Sequence, residues 1–245
     1  MGGLTVVFLG PSLPLARARA LLDARYRPPA RLGDVYRAVR AGARRIGIID
    51  GYFERTPAVW HKEVMWALAQ GVPVYGAASM GALRAAELDA FGMTGVGEVY
   101  RWYRDGVIED DDEVALLHAP AEGGYAAASV PLVNIRATLD AARGAGIVPA
   151  DLAEALCRAA RALHYPDRSY DRVIADGRAA GLGSPAALDA FEAWLPRGAV
   201  DLKGRDAALL LRTLASDRRI RPPAGTVPFE PTWIWQELVT GLGQE

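Results

Sequence analysis

Cysteine occurs once in the 245 residues, at Cys157, which excludes an internal disulfide and any metal site built from several thiolates. A reducing compartment is the simpler expectation. Lysine is nearly as scarce. Of 28 basic residues only Lys62 and Lys203 are lysines, so almost every cation is an arginine, which serves neither as a general base nor as a Schiff-base amine. No apolar stretch approaches the roughly 20 residues that span a bilayer, and the N-terminus lacks the basic, apolar and cleavage regions of a signal peptide. A cytoplasmic location with no membrane partner is therefore expected. Charge of one sign is also missing in bulk: the formal net charge is −1, so no basic field gathers phosphate backbones and nucleic acid is not an expected partner. Neither a Gly-x-Gly-x-x-Gly nor a Walker sequence is present, and Gly10-Pro11-Ser12 is too short for a phosphate loop, so no cofactor is expected.

What is present is apolar patterning. Hydrophobic residues make up 51% of the chain, enough to bury a substantial core in one large domain or in one domain with an appendage. Leu4 to Leu9 reads as a buried strand closed by Gly10-Pro11-Ser12, with a helix from Pro14 to about Asp23 and another from Asp34 to Ala41. Arg45 to Ile49 is the next strand and ends at Asp50-Gly51. A helix from Pro57 to about Gln70 follows, then a strand over Gly71 to Gly76, then a turn at Ala77 to Gly81 into a helix carrying Leu83, Arg84, Glu87 and Leu88. Gly92 to Gly97 reads as a loop, Glu98 to Arg104 as a short helix, and Val114 to Leu117 as an apolar strand closed by His118-Ala119-Pro120. From Leu132 the pattern is helical, with a Pro-rich turn near Arg221-Pro222-Pro223. The expected class is α/β, a mainly parallel sheet flanked by helices. Residues 1–145 form the expected core domain and 146–245 a helical appendage.

Polar residues fall repeatedly just past the expected strands: Ser12, Asp50, Ser79 and His118. Ser79 lies between a glycine-ended strand and an apolar helix, where free N–H groups favour negative charge on a nearby oxygen. It fits an acyl-transfer nucleophile, and it equally fits a simple helix cap among small residues. His118 fits the proton acceptor for such a serine, or an ordinary histidine. The Gly51 and Met80 N–H groups would hold the oxyanion, or Gly51 is only a turn residue. Asp50, Ser12 and Arg84 would border the substrate. Asn134 and Arg136 at a helix start would orient a carboxylate or a carrier tail, or make structural bonds. His61 reads as a surface residue and His164 lies far along the chain. The acidic run Glu109 to Glu113 reads as a solvated face more readily than a metal site, and no metal is assigned.

Taken together, Phe8-Leu9-Gly10-Pro11-Ser12-Leu13, Ile46-Gly47-Ile48-Ile49-Asp50-Gly51-Tyr52-Phe53, Trp60-His61-Lys62-Glu63 and Gly76-Ala77-Ala78-Ser79-Met80-Gly81-Ala82-Leu83-Arg84-Ala85-Ala86-Glu87-Leu88 closely resemble the TfuA-like family. Gly106 to Ala115 and Val133 to Leu139 fit it too, so the resemblance covers about residues 5–140. It implies a partner of YcaO enzymes, which use ATP to activate a peptide-backbone amide so that sulfur replaces its oxygen. It also implies recruitment of a ThiS-type ubiquitin-like carrier with a C-terminal thiocarboxylate, whose sulfur is released by hydrolysis. A second, local similarity joins Gly76 to Ala82 and Leu116 to Pro120 to the serine and histidine segments of Clp-type peptidases. It adds a Clp-peptidase-like or crotonase-like arrangement as a candidate architecture, and its third member, an aspartate, has only the distant Asp167 as a counterpart. The expected function is a thiocarboxylate hydrolase that supplies sulfide for peptide thioamidation. The alternative is a non-catalytic adaptor that brings carrier and YcaO enzyme together.

Overall fold

Short β-branched runs between glycine-rich turns, each followed by an amphipathic helix, build a parallel sheet, because a parallel pair needs a crossover that the helices supply. The computed structural model describes residues 3–52, 56–217 and 227–242, and the Pro-rich turn at Arg221 to Pro223 lies outside them. The elements run β1 (Thr5–Phe8), α1 (Leu15–Leu21), β2 (Arg25–Arg27), α2 (Asp34–Arg40), β3 (Arg45–Ile48), α3 (His61–Ala69), β4 (Val74–Ala77), α4 (Met80–Leu88), β5 (Thr94–Val96) and α5 (Glu98–Arg104). There follow α6 (Leu132–Gly144), α7 (Ala150–Ala162), α8 (Tyr170–Ala179), α9 (Pro185–Gly198), α10 (Leu202–Ser216) and α11 (Trp233–Leu242). No helix among the described residues is long and apolar enough to cross a membrane.

All strand pairs are parallel and the order is β2-β1-β3-β4-β5, that of a doubly wound sheet. The expected α/β class holds, and within it the architecture is this doubly wound one. One face of the sheet, with Val6, Phe8, Ile46, Ile48 and Val74, packs on α2, α3 and α4 through Val35, Ala38, Val64, Leu68 and Ala85. The other, with Val7, Leu9, Tyr75 and Ala77, packs on Ala18 of α1 and on Leu210, Leu211 and Leu214 of α10. Each of those three leucines contributes roughly 1.5–3 kcal/mol by leaving water.

Packing divides the chain into two compact units, Met1–Glu109 with Gly204–Glu245, and Asp110–Lys203. In the first unit the return of α10 is fastened by Asp206, which accepts the Val99 N–H at 2.8 Å at the start of α5. Gly97 leaves room for that carboxylate, since a Cβ there would lie 2.3 Å from Asp206 Cγ. Burial, the main cause, raises the Asp206 pKa against the pull of these N–H groups.

A second buried carboxylate joins two helix starts. Glu63 accepts from Gly33 N and Trp60 N through Oε1 and from Val35 N and Tyr36 N through Oε2, at 2.8–3.3 Å. Burial pushes its pKa from 4.5 up to about 6, opposed by those four N–H donors. The folded state therefore holds the proton more tightly than the unfolded chain. This group's contribution is fully present below about pH 4.5 and falls by about 2 kcal/mol as pH rises through about 6. Urea titrations at pH 4.5 and pH 7 are expected to show this loss in wild type and not in Glu63→Gln. The variant is expected to be less stable at both, because its NH2 group meets N–H donors.

The second unit is a helical core in which Leu132, Ile135 and Leu139 of α6 meet Leu152, Leu156, Val173, Ile174, Leu188 and Phe191 of α7, α8 and α9. The expected solvated acidic run holds for the exposed Glu109, Asp110 and Asp111 and is corrected at its end. Glu113 is buried and forms a bidentate pair with Arg136 at 2.6 and 2.9 Å, Asp112 meets the fully buried Arg168 at 2.6 Å, and Asp110 pairs with Arg161. Its middle is a 3-10 turn, Asp111–Glu113. Three arginines from distant sequence thus turn a charge run into the clamp that starts this unit. The expected strand Val114 to Leu117 is also corrected, because no named strand forms there. The segment is pinned instead by Lys203 Nζ to Val114 O at 2.7 Å and by Ser129 Oγ to Leu117 N at 2.8 Å.

Candidate active site at the carboxyl edge of the sheet

In a doubly wound sheet the carboxyl ends of the strands carry the reactive groups, and β1, β3 and β4 end there in Ser12, Asp50-Gly51 and Ser79. Asp50 and Ser12 are buried at 1% and 5% exposure. The Asp50 carboxylate accepts from Gly10 N at 2.8 Å, Ser12 N at 3.1 Å and Ser12 Oγ at 2.6 Å. These two residues, expected to border substrate, are bonded to each other and tie the β1 loop to the end of β3.

The turn after β4 is sharper than a helix cap requires. Ser79 N donates to Ala77 O at 2.7 Å across Ala78, whose φ of +67° is a left-handed value that an alanine adopts only under strain. Ser79 then occupies the N-cap of α4, yet its hydroxyl makes no capping bond, so the interaction that the capping reading needs is missing. Glycines make the turn possible. A Cβ on Gly76 would lie 1.9 Å from Gly81 O, and one on Gly81 would lie 1.8 Å from Ile48 O. With Gly81 N donating to Ile49 O at 3.3 Å, the first turn of α4 is pressed against the ends of β3 and β4. The serine thus sits directly after the strained residue of a sharp strand-to-helix turn, with glycine two residues later and an ordinary φ of −128° of its own.

Gly51 and Met80, whose N–H groups were expected to hold an oxyanion, lie side by side. A Cβ on Gly51 would lie 2.7 Å from Met80 Cγ and 3.2 Å from Ala30 O, so Gly51 sits between the Met80 side chain and the 30–32 segment. Tyr52 N donates to Ala30 O and Ala30 N to Asp50 O, leaving Gly51 N out of this bridge. Met80 is the first residue of α4, where no intrahelical acceptor is available. Among the described residues neither N–H has a protein acceptor.

Arg84, also expected near substrate, donates from Nε to Val59 O at 3.0 Å and from an NH group to Glu87 at 2.6 Å. Glu87 in turn meets His61 Nε2 at 2.8 Å. Asn134 bonds Asp201 at 3.2 Å and accepts Lys203 N at 3.1 Å, and Arg136 is held by Glu113. Both side chains are thus engaged inside the second unit.

His118 lies in that second unit, half-buried, in an isolated antiparallel bridge with Ala127. Its Nδ1 is 2.8 Å from Ala119 O and its ring packs edge-on against Tyr125 at 5.6 Å. A carbonyl only accepts, so Nδ1 carries the proton and Nε2 keeps the lone pair that a base uses. Asp167 is exposed in a 3-10 turn of the same unit. Among the described residues no three of His, Cys, Asp and Glu are grouped to hold a metal ion.

The family model described as TfuA-like protein matches residues 50–169. Over that stretch the chain is similar to the TfuA-like family. No curated protein matches the chain. The matched stretch begins at Asp50 and takes in Gly51, Ser79, Met80, Arg84, His118, Asn134 and Arg136, whereas Ser12 falls before it. The left-handed Ala78 beside Ser79 was not legible in the sequence, because alanine carries no signal of positive φ. The Arg84, Glu87 and His61 cluster was legible only as three separate polar residues.

Proposed function

We propose that this protein hydrolyses the C-terminal thiocarboxylate of a ThiS-type ubiquitin-like carrier and so supplies sulfide to a YcaO enzyme for ATP-dependent thioamidation of a peptide backbone. The match to the TfuA-like family supports the role in the YcaO thioamidation system. The hydrolytic step rests on one observation: the uncapped Ser79 hydroxyl stands on a strained turn beside the unengaged N–H groups of Gly51 and Met80.

In this reading Ser79 Oγ attacks the thiocarboxylate carbon as its hydroxyl proton passes to a base. A C–O bond forms, the developing oxyanion is held by Gly51 N–H and Met80 N–H, and the C–S bond breaks. That proton is returned to the departing sulfur, which leaves as hydrosulfide. Water then cleaves the serine ester, restoring the hydroxyl and releasing the carrier carboxylate and a proton. Hydrosulfide leaves far more readily than an amide nitrogen, so a modestly activated serine is sufficient.

The test is to mix the purified protein with thiocarboxylated carrier in the absence of any YcaO enzyme. Sulfide is expected to appear well above the carrier's own hydrolysis, with carrier mass shifting by exchange of one sulfur for one oxygen. Tight carrier binding without such release would instead support the adaptor reading. One observation favours that alternative: Trp233 and Ile234 of α11 are 67% and 48% exposed, an apolar surface suited to docking. Trp235 is not part of it, because it is buried against Tyr36, Trp60, Trp66 and Phe229.

A further inference from the structure

Arg84, Glu87 and His61 form a network outside the reacting groups, and its position relative to the oxyanion donors gives it a use. The segment that leaves β3 begins at Gly51 and reaches α3 at His61, and its described parts are held on two sides. On one side Tyr52 N bonds Ala30 O and Leu32 N bonds Pro57 O, both at 2.9 Å. On the other side lie contacts with α4. Gly51 abuts the Met80 side chain, Val59 O accepts Arg84 Nε at 3.0 Å, and His61 Nε2 lies 2.8 Å from a Glu87 oxygen that also receives Arg84 at 2.6 Å. A carboxylate only accepts, so His61 Nε2 donates. The two ends of the segment are thus fastened to one helix, the helix whose first N–H belongs to Met80.

We propose that Arg84, supported by Glu87 and His61, is a positioning residue: it clamps the Gly51 segment onto α4 and so sets the spacing of the Gly51 and Met80 N–H groups. This deepens the hydrolase reading and rests on it. Arginine suits the role because its planar fork serves a main-chain carbonyl and a carboxylate together, which the single ammonium of lysine does not. Arg84 is mostly shielded, at 13% exposure of its side chain, whereas Glu87 and His61 are more than a third exposed. The exposed Glu87–His61 pair is therefore of little consequence for global stability. A displaced donor is costly for chemistry, since a misplacement of about 1 Å lowers rates by up to about 100-fold.

The experiment compares wild type, Arg84→Met, Glu87→Ala and Glu87→Gln, all full length, by sulfide release from a thiocarboxylated ThiS-type carrier and by hydrogen exchange of peptides covering residues 56–60. Arg84→Met is expected to lower kcat at least about 10-fold with KM within about twofold, and to speed exchange in that peptide while the β1 and β3 peptides are unchanged. Glu87→Ala is expected to follow it in part. Glu87→Gln, whose amide oxygen still accepts, is expected to stay within about twofold of wild type. An active wild type matched by Arg84→Met overturns the clamp alone, as does unchanged exchange in that variant. A wild type that releases no sulfide overturns the hydrolase reading and this role with it.

Discussion

Gly81→Ala is expected to cost the first unit most of its stability, about 4 kcal/mol or more against a typical total of about 5–15 kcal/mol. The added Cβ would lie 1.8 Å from Ile48 O, in a strand that is paired on both sides, with β1 and with β4. Neither the carbonyl nor the strand can move aside without breaking ladder bonds, so α4 must lift away from the sheet. Gly76→Ala, whose Cβ meets Gly81 O at 1.9 Å, is expected to act in the same direction. Gly106→Ala is the control. Its φ is +68°, but nothing lies within 4 Å of an added Cβ, so its cost is confined to about 1 kcal/mol of backbone strain. Thermal unfolding followed by circular dichroism separates the two cases. Equal melting points for Gly81→Ala and Gly106→Ala would contradict the packing described for this turn.

Ser79→Ala is expected to behave in the opposite way, leaving stability within about 0.5 kcal/mol of wild type while sulfide release falls by about 1,000-fold or more. The Ser79 hydroxyl makes no cap bond, so its removal strands no partner. The small volume of alanine also suits a buried site pressed between Gly76 and Gly81. A capping serine would show the reverse pattern, a loss of about 1 kcal/mol in stability with activity retained.

The strands β1, β3 and β4 were legible because each is a short apolar run between glycine-rich turns, and their helices because the apolar spacing changes directly after them. The strands β2 and β5 were not, being three-residue edge strands, one Arg-Tyr-Arg and the other inside what reads as a glycine loop. The apolar run Val114 to Leu117 misled for a physical reason. Val114 and Ala115 are buried, but with Lys203 Nζ on the Val114 carbonyl and no place in the parallel ladder. The acidic run misled at its end because the partners there, Arg136 and Arg168, lie more than 20 residues away, where local charge patterning gives no hint of them. Small residues around Ser79 did announce close packing. The left-handed Ala78 and the Gly51–Met80 contact depend on tertiary contacts and could not be read in advance.

The central claim, that Ser79 is the nucleophile of a thiocarboxylate hydrolase, is tested most directly by the rate of sulfide release from a thiocarboxylated carrier with Ser79→Ala, measured beside wild type at matched carrier binding. The account predicts a folded variant that binds the carrier and releases sulfide at little more than the carrier's own rate. Release by Ser79→Ala at the wild-type rate would contradict it.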